Sequence, residues 1–383
     1  MLLKHSIGII LLLAGYLVFG QDSLKTRSAK DSVKVGTRFD IHVNRSGKVI
    51  YKITREQLER QYGRRLADIL NEIPGMQIDG VFNSPNSSCN YSSRGGHVNQ
   101  TLILIDGIPI NNPLFNQAFY DLRYISIETI ETIEVLLGGL STLYGSGAST
   151  GIIAIQTKRS TGKGINGEVN LNAGTWSSFA QSAILNGNYE RFSFVVSAAN
   201  SLNSFVPSPR NDNTSFGKRG FSLRASYQFN ANFNLDVFGD YSMIDQFSGS
   251  SVGSQQLRLG AKGIYKLSKG TLETILHHSK NTIAPDFYDF TGTNTFSEIA
   301  YNLQINSFAR VLSGISFQHL NYSSIFKKND YTIIDPFTSF FIAGPLGIDI
   351  QAGVRISTHS RYNSLVLYNI NPSRNIAINS RST

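Results

Sequence analysis

The chain has 383 residues, of which 11% are aromatic and only 16% are charged. Soluble domains carry roughly 25% charged residues, so this composition argues against two ordinary soluble domains and favours strands with a lipid-facing side. The net charge is +9, but the basic residues are scattered along the chain. Attraction to an anionic lipid surface therefore explains them better than nucleic-acid binding does.

The first residues have the pattern of an export signal. Lys4 and His5 precede an uncharged stretch from Ile7 to Phe19, and Gly20 offers a small residue for cleavage. A membrane anchor is the alternative, but a helix over this stretch is only about 20 Å long, short of a ~30 Å hydrocarbon core. We therefore expect residues 1–20 to be a signal peptide. No later segment has the roughly 18 unbroken apolar residues of a spanning helix, so any membrane crossing must use strands.

Residues 21–48 are polar and have little apolar periodicity before Val43. A segment of this composition cannot bury enough apolar surface to fold by itself, so we expect a flexible tether.

Residues 49–158 carry the signals of a compact α+β domain. Val49 to Ile53 alternate as a short strand, and Thr54 with Gln57 predicts a capping box that opens a helix, with Gly63 as its stop. A second helix is predicted from Leu66 to Ile73, before Pro74 and Gly75 end it. The expected sheet is built from four short apolar runs: Met76 to Asp79, Leu102 to Ile105, Ile130 to Leu137 and Ile152 to Thr157.

Two single positions in this domain also carry predictions. Asp106-Gly107 follows an apolar run and predicts a hairpin turn, in which Gly107 can take a positive φ. Cys89 is the only cysteine, which excludes an internal disulfide. We expect Cys89 to be a small packed or loop residue, with a reactive thiol as the alternative.

After Gly167 the helical signals give way to alternation of apolar and polar residues, for instance from Ile348 to Ser357. Roughly twelve such segments lie between Gly167 and Thr383, as expected for strands that cross an outer membrane with one face to lipid and one to the lumen. Residues 186–188 and 268–270 are predicted as short turns, and residues 201–218 and 281–297 as long loops. The predicted fold is an α+β domain followed by an antiparallel transmembrane β-barrel.

A soluble β-sandwich is the alternative, because its inner faces also alternate. Two features favour the barrel. Polar residues such as Arg224, Asp236 and Arg355 lie in the middle of strands on one face, while Tyr241 and Tyr265 lie near strand ends on the other face.

Four runs in the first domain carry a family resemblance: RLADILNEIPGMQIDG at 65–80, RGG at 94–96, TLILIDGIPINNP at 101–113 and IETIETIEVLLGGLSTLYGSGASTGIIAIQTK at 127–158. With this order and spacing the domain resembles the plug of the TonB-dependent outer-membrane receptor family along almost its whole length. The resemblance implies a plug at 49–158, a barrel wall from 165 to 383, residence in the cell outer membrane, and TonB and outer-membrane lipid as partners. It implies no nucleic acid, cofactor or metal ion.

In this family an N-terminal strand, the TonB box, pairs with an edge of TonB by β-augmentation. The candidate box lies on the predicted tether just before the plug, although Lys34 interrupts the run of apolar residues that the family pattern has. Its residues are Asp31, Ser32, Val33, Lys34 and Val35.

The resemblance also implies roles for individual residues of the plug. Arg94, Glu131 and Glu134 match family residues that contact the barrel wall, and the alternative is that they are merely solvated. The full set of plug-motif residues is Arg94, Gly95, Asp106, Gly107, Glu131, Glu134, Tyr144, Gly145 and Gly151.

Ligand contact is expected at long barrel loops and at two plug apices, Val81 to Tyr91 and Asn111 to Tyr120. The candidate residues are Asn83, Asn86, Asn90, Tyr91, Asn111, Asn112, Phe115 and Asn116. The implied function is energy-coupled uptake of a scarce, large solute. The short tether makes the plug resemble cobalamin-type receptors, with ferric siderophores as the competing ligand class.

The predicted secondary structure excludes two other kinds of site. Gly145, Gly147 and Gly151 do not form a phosphate-binding loop or a hydrolase elbow around Ser149, because a strand and not a helix is predicted to follow. Adjacent His277 and His278 on a strand point to opposite faces and cannot chelate one metal ion.

A plugged barrel of this family usually has 22 strands, and about twelve are predicted here. The chain also ends at Ser382-Thr383 rather than on a terminal aromatic residue, so we expect a fragment or a truncated gene product. A non-transporting adhesin, an inactive truncated receptor and a secreted enzyme are the rival interpretations.

Overall fold

A computed structural model describes residues 32–80, 88–114, 120–160, 162–175, 177–206, 214–247, 251–285, 289–344 and 347–374. Over these ranges it contains no helix that is both long and apolar enough to span a membrane.

The first part of the chain folds into short elements around one mixed sheet. The strands are β1 (Ser32–Val33), β2 (Ile41–His42), β3 (Val49–Ile53), β4 (Met76–Asp79), β5 (Asn90–Ser93), β6 (Thr101–Ile105), β7 (Ile108–Pro109), β8 (Ile130–Leu137) and β9 (Gly151–Thr157). The helices are α1 (Arg55–Glu59), α2 (Leu66–Asn71) and α3 (Ser141–Tyr144). The sheet has the order β3-β8-β9-β6-β7, in which only β6 and β9 run parallel.

The predicted elements of this domain are found, with three corrections. The second helix, α2, ends at Asn71 and not at the predicted Ile73. The Gln57 side chain accepts the Thr54 N–H at 2.9 Å and so opens α1, but α1 already ends at Glu59, before Gly63. Met76–Asp79 is a strand, but it pairs with β5 in a separate hairpin and does not join the main sheet. The alternation of apolar and polar residues and their β-propensity predict that a strand forms, but they do not specify which strand it pairs with.

The Asp106-Gly107 turn joins β6 to β7 as predicted. Asp106 has φ 53° and Gly107 has φ 84°, the two positive values that a type I′ hairpin turn requires.

The main sheet buries both of its faces. One face carries Ile133, Val135 and Ile153 and packs against α2, while the other carries Leu104 and Leu136 and packs against α3. Cys89 lies in the first of these cores, as expected for a packed residue, and burial raises the pKa of its thiol.

The described residues from Gly164 to Arg374 form one antiparallel sheet of twelve strands in sequence order, which confirms the predicted number. The strands are β10 (Gly164–Gly174), β11 (Ser178–Tyr189), β12 (Phe192–Val206), β13 (Thr214–Gln228), β14 (Phe233–Phe247), β15 (Ser251–Leu267), β16 (Gly270–Pro285), β17 (Phe290–Gln304), β18 (Ala309–Ser323), β19 (Lys328–Ala343), β20 (Ile348–His359) and β21 (Leu365–Arg374). Within the described ranges β10 and β21 do not pair with each other, so the sheet is an incomplete barrel wall.

The two faces of this sheet differ in the way a barrel wall requires. On β20, Gln351 and Arg355 are 4% and 2% exposed, whereas Ile350 and Val354 on the other face are 39% and 38% exposed. Apolar residues therefore face outward and polar residues face the plug, the reverse of a soluble sandwich.

Several predicted connections are instead strand. Residues 186–188 lie inside β11, where Gly187 lets the ring of Phe194 on β12 cross its backbone, since a Cβ there would stand 2.5 Å from that ring. Residues 201–206, 214–218, 281–285 and 290–297 extend the strands, so the predicted long loops are mostly strand. Only the turn after Leu267 matches the prediction. Cross-strand pairing outweighs the turn propensity of Asn and Gly.

Candidate coupling site at the N-terminal segment

Residues 32–48 are packed against the plug, so the prediction of a flexible tether is wrong over this range. β1 pairs with β2, and Val33 and Val35 are 1% and 2% exposed. Val35 joins Leu104 and Leu136 in the core on one face of the plug sheet. Composition predicted disorder because the apolar partners of this segment are supplied by later parts of the chain.

Two neighbouring plug side chains hold this segment by its backbone. The buried Glu134 carboxylate accepts the N–H groups of Lys34 and Val35, both at 2.9 Å. Lys52, which pairs with Glu134 across β3 and β8, donates from Nζ to the Ser32 carbonyl at 2.7 Å. Of the candidate TonB box, Ser32 and Val33 form the short strand β1, Lys34 and Val35 lead from it into a turn, and Asp31 lies outside the described residues.

Two arginines fix the segment to the barrel wall. Arg38 forms an ion pair with Glu298 on β17, and its guanidinium lies 5.7 Å from the centre of the Tyr144 ring. Arg45 forms a two-pronged ion pair with Asp349 on β20, at 2.9 and 2.7 Å. The sequence analysis missed both residues, because their only signal was basic charge in a polar segment.

The wall also contacts the C-terminal end of α3 through hydrogen bonds. Arg355 on β20 donates to the carbonyls of Thr142 and Leu143 at 3.2 and 2.8 Å, and it pairs with Asp335 on β19 at 2.9 Å. A cation at a helix C-terminus satisfies carbonyls that have no partner within the helix. Gly145 ends this helix at φ 92°, next to the same ion pair.

Asp106 links the plug hairpin to both the sheet and the wall. Its carboxylate accepts the Thr157 N–H at 3.0 Å and the Thr157 hydroxyl at 2.8 Å, and it pairs with Arg224 on β13 at 2.8 Å. Burial by itself would raise the pKa of Asp106, but Arg224, the Thr157 hydrogen bonds and Arg159 together lower it below 3.8.

Asp106→Asn is therefore expected to destabilise the plug at neutral pH by about 1–3 kcal/mol, because a hydrogen-bonded ion pair is lost. Since the folded-state pKa is depressed, the stabilisation is present above pH 3.8 and is lost as the pH falls through the folded value. Urea unfolding of the wild type and the variant between pH 7 and pH 2 should give curves that converge at the acidic end. Equal stability at pH 7 would contradict this prediction.

In the described part of the chain no hydrogen bond or ion pair joins the wall to any of the three residues predicted to contact it. Arg94 is exposed and Glu131 is half-buried, and neither has an ion pair there; Glu134 faces the N-terminal segment instead. Ion pairs to the wall are made by other residues, among them Arg38, Arg45 and Asp106.

The remaining plug-motif glycines permit turns or close packing. Gly95 and Gly107 have positive φ. Gly151 lies so close to Ser93 that an added Cβ would stand 2.7 Å from the Cβ of that residue.

The ligand candidates fall into three groups. Asn83, Asn86, Phe115 and Asn116 lie outside the described residues. Tyr91 and Asn112 are 2% and 1% exposed and hold loop backbone: the Tyr91 hydroxyl accepts the Tyr120 N–H and Asn112 Oδ1 accepts the Leu114 N–H. Of the other two, Asn90 is exposed, whereas Asn111 is half-buried with its carbonyl near Asn294 on β17. Tyr91 and Asn112 are thus structural in this arrangement.

The local geometry at Ser149 and at the adjacent histidines is the one predicted. The Ser149 hydroxyl donates to the Ser146 carbonyl at 2.7 Å in a turn that leads into β9. His277 is buried and His278 is exposed on opposite faces of β16. Among the described residues no group of three or more His, Cys, Asp or Glu side chains is placed to hold a metal ion.

The fold and these contacts define a class of protein, a plug domain held by buried ion pairs against the polar face of an antiparallel barrel wall. Comparison with known proteins agrees. A family model described as the TonB-dependent Receptor Plug Domain matches residues 43–152. Residues 43–152 are thus similar over their whole length to the plug domain of TonB-dependent receptors, and the location of the protein is the outer membrane.

The chain is similar to several members of that family. It is 29% identical over 142 residues to the vitamin B12 transporter BtuB of Vibrio vulnificus, covering 35% of this chain and 23% of that protein. It is 27% identical over 265 residues to the iron-regulated outer membrane virulence protein of Vibrio cholerae, covering 64% and 38%. The siderophore receptor PirA from Pseudomonas aeruginosa has a similar fold, with a TM-score of 0.71 and 20% identity over 86% of this chain and 59% of that one. The chain thus spans less than two-fifths of these two curated relatives.

Proposed function

We propose that the chain takes part in TonB-dependent uptake, binding a scarce, large solute at the cell exterior and importing it with energy delivered through TonB. A cobalamin and a ferric siderophore are the two candidate ligand classes, and relatives named as a vitamin B12 transporter and as a siderophore receptor support them. In this proposal the chain binds and transports without catalysis or a cofactor. Residues 1–20 act as the export signal, and residues 21–48 carry the TonB box.

The way in which residues 32–35 are held against the plug is the observation that carries this proposal. Its Lys34 and Val35 amides are held by a single carboxylate, Glu134, and not by a sheet edge. TonB would compete for the same backbone groups by β-augmentation. Since the segment is also tied to the plug sheet through Lys52, a pull on it would act directly on β3 and β8.

Replacing residues 31–35 by alternating Gly and Ser tests the proposal at constant chain length. Cells without their own copy of the gene would express the chain or this variant, and uptake of radiolabelled cyanocobalamin and of ⁵⁵Fe-loaded siderophores would be measured with and without TonB. We expect surface binding to persist and uptake to be lost, as in the strain without TonB. The same replacement at residues 24–28 is the control.

Three outcomes would distinguish the candidates. Uptake that survives the replacement or the loss of TonB would refute energy coupling through this segment. Surface binding without uptake by the wild type would instead favour a non-transporting receptor or adhesin. The labelled ligand that accumulates identifies the solute class.

A further inference from the structure

Polar side chains interrupt the lipid-facing side of the wall on β16–β19. His278 and Lys280 on β16 are exposed, whereas His277 between β16 and the plug is 3% exposed, so His278 and Lys280 lie on the outward face. The register places Leu259 of β15 opposite His278 and Leu257 opposite Lys280. Those leucines are 49% and 39% exposed on the same face. The outward face therefore changes from apolar to polar between two neighbouring strands.

The polar residues continue over the next three strands as two rows of cross-strand neighbours. One row is His278, Thr295, His319 and Thr332, and the other is Lys280, Thr293, Asn321 and Asp330. These eight residues are termed the polar patch. Each of β16–β19 is paired on both sides, so the patch does not involve the end strands of the wall.

Cross-strand hydrogen bonds order the two imidazole rings of the patch. His278 Nδ1 lies 2.8 Å from Thr295 Oγ1, and His319 Nδ1 lies 3.1 Å from Thr332 Oγ1. Each of these bonds uses Nδ1 and leaves Nε2 of the same ring for another partner. Acyl chains offer no hydrogen bond to such groups, and a polar group without a partner in hydrocarbon is costly. The patch therefore suits lipid head groups better than acyl chains.

The height of the patch in the wall agrees with this. The turn from Leu267 to Gly270 is short, as the periplasmic turns of outer-membrane barrels are. His278 and Lys280 follow Gly270 by eight and ten positions on the same strand, which is roughly 20–25 Å along the membrane normal for a tilted strand. The apolar band of such a barrel is about 25 Å tall. The patch thus lies where the outer leaflet changes from acyl chains to head groups.

The charge of the patch favours an anionic partner. Lys280 is exposed on the patch, and Lys328 is exposed on the same face of β19, two positions before Asp330. Asp330 is the one carboxylate of the patch, and Arg361 pairs with it at 3.4 Å, so it does not offset the two lysines. Ammonium and imidazole N–H groups are donors that suit phosphate oxygens.

We propose that the polar patch binds the phosphorylated sugar head group of an outer-leaflet glycolipid. Lys280 and the two imidazoles would donate to phosphate, and Thr293 and Asn321 would bind sugar hydroxyls. Leu276, which is 63% exposed two positions before His278, would contact the acyl chains of the same molecule, and this favours a lipid over soluble phosphate. The site lies on the outside of the wall, so it is independent of the plug, of TonB and of the transported solute.

Binding of fluorescent diphosphoryl lipid A, an acylated glucosamine disaccharide, to the purified full chain in detergent micelles tests the site. We expect Lys280→Leu to weaken binding about fivefold, the contribution of one lysine near an anionic lipid surface. Adding His278→Leu and His319→Leu should weaken it further. Lys280→Gln, which keeps a polar side chain, should show the same loss as Lys280→Leu. The same lipid without its phosphates should bind the wild type and the variants equally weakly.

Lys269→Leu is the matched control, because it removes an exposed lysine from the turn at the other end of the β15–β16 hairpin. We expect its affinity to equal that of the wild type. Equal affinity of the triple variant and the wild type would overturn the proposal, and so would an equal loss in Lys269→Leu and Lys280→Leu. Tight binding of the phosphate-free lipid would also contradict it. Full displacement of the lipid by an equal concentration of inorganic phosphate would assign the patch to free phosphate instead.

Discussion

Arg355→Met is expected to lower the free energy of unfolding by about 3–5 kcal/mol, because it leaves a buried carboxylate without its counter-ion. Asp335 and Arg355 have side chains that are 7% and 3% exposed. The substitution also removes the donors to the Thr142 and Leu143 carbonyls at the end of α3. Methionine fills much of the arginine volume, so the loss reports on charge and hydrogen bonding more than on packing.

Urea unfolding of the full chain in lipid vesicles would measure this effect. Arg361→Met is the matched control, because Arg361 pairs with Asp330 at 3.4 Å but is 45% exposed, and a change within about 0.5 kcal/mol is expected there. Asp335→Asn combined with Arg355→Met should restore part of the loss, since the unpaired charge is then absent. A loss of less than 1 kcal/mol in Arg355→Met would show that neither the ion pair within the wall nor the hydrogen bonds of Arg355 to the end of α3 contribute much to stability.

The sequence was most informative where local chemistry and periodicity act together. Asp106-Gly107 could be predicted as a hairpin turn because only certain residues tolerate two successive positive φ values. The wall could be predicted because a two-residue period along β20 separates Ile350 from Gln351 by face. Neither inference requires knowledge of a distant partner.

Contacts between distant parts of the chain could not be predicted in this way. Glu134 binds amides about a hundred positions earlier in the chain, and Arg45 pairs with Asp349, 304 positions away. Family resemblance singled out Glu134 but could not indicate these amides as its partners, because a motif marks the residue and not the group that it contacts. Strand length was also underestimated, since cross-strand pairing extends β11 through residues 186–188.

Glu134→Ala is expected to release the N-terminal strand while leaving the rest of the plug folded. The variant loses two hydrogen bonds from backbone amides to a buried carboxylate. Hydrogen bonds to charged groups contribute about 1.5–3 kcal/mol each, so even a combined loss of about 3 kcal/mol would raise local opening roughly 100-fold. Amide hydrogen exchange at Lys34 and Val35 would measure this opening directly.

Glu131→Ala is the matched control, since it removes the same charge from β8 at a half-buried carboxylate that has no hydrogen bond or ion pair in the described part of the chain. Glu134→Gln keeps one acceptor oxygen in place and should give an intermediate rate. Unchanged exchange in Glu134→Ala would mean that the other contacts of the segment hold it without Glu134, namely the packing of Val33 and Val35 and the Lys52–Ser32 hydrogen bond. If exchange does rise, the loss of one carboxylate is enough to release this segment. The edge of a TonB sheet could then release it too by competing for the same backbone amides, as the proposed coupling requires.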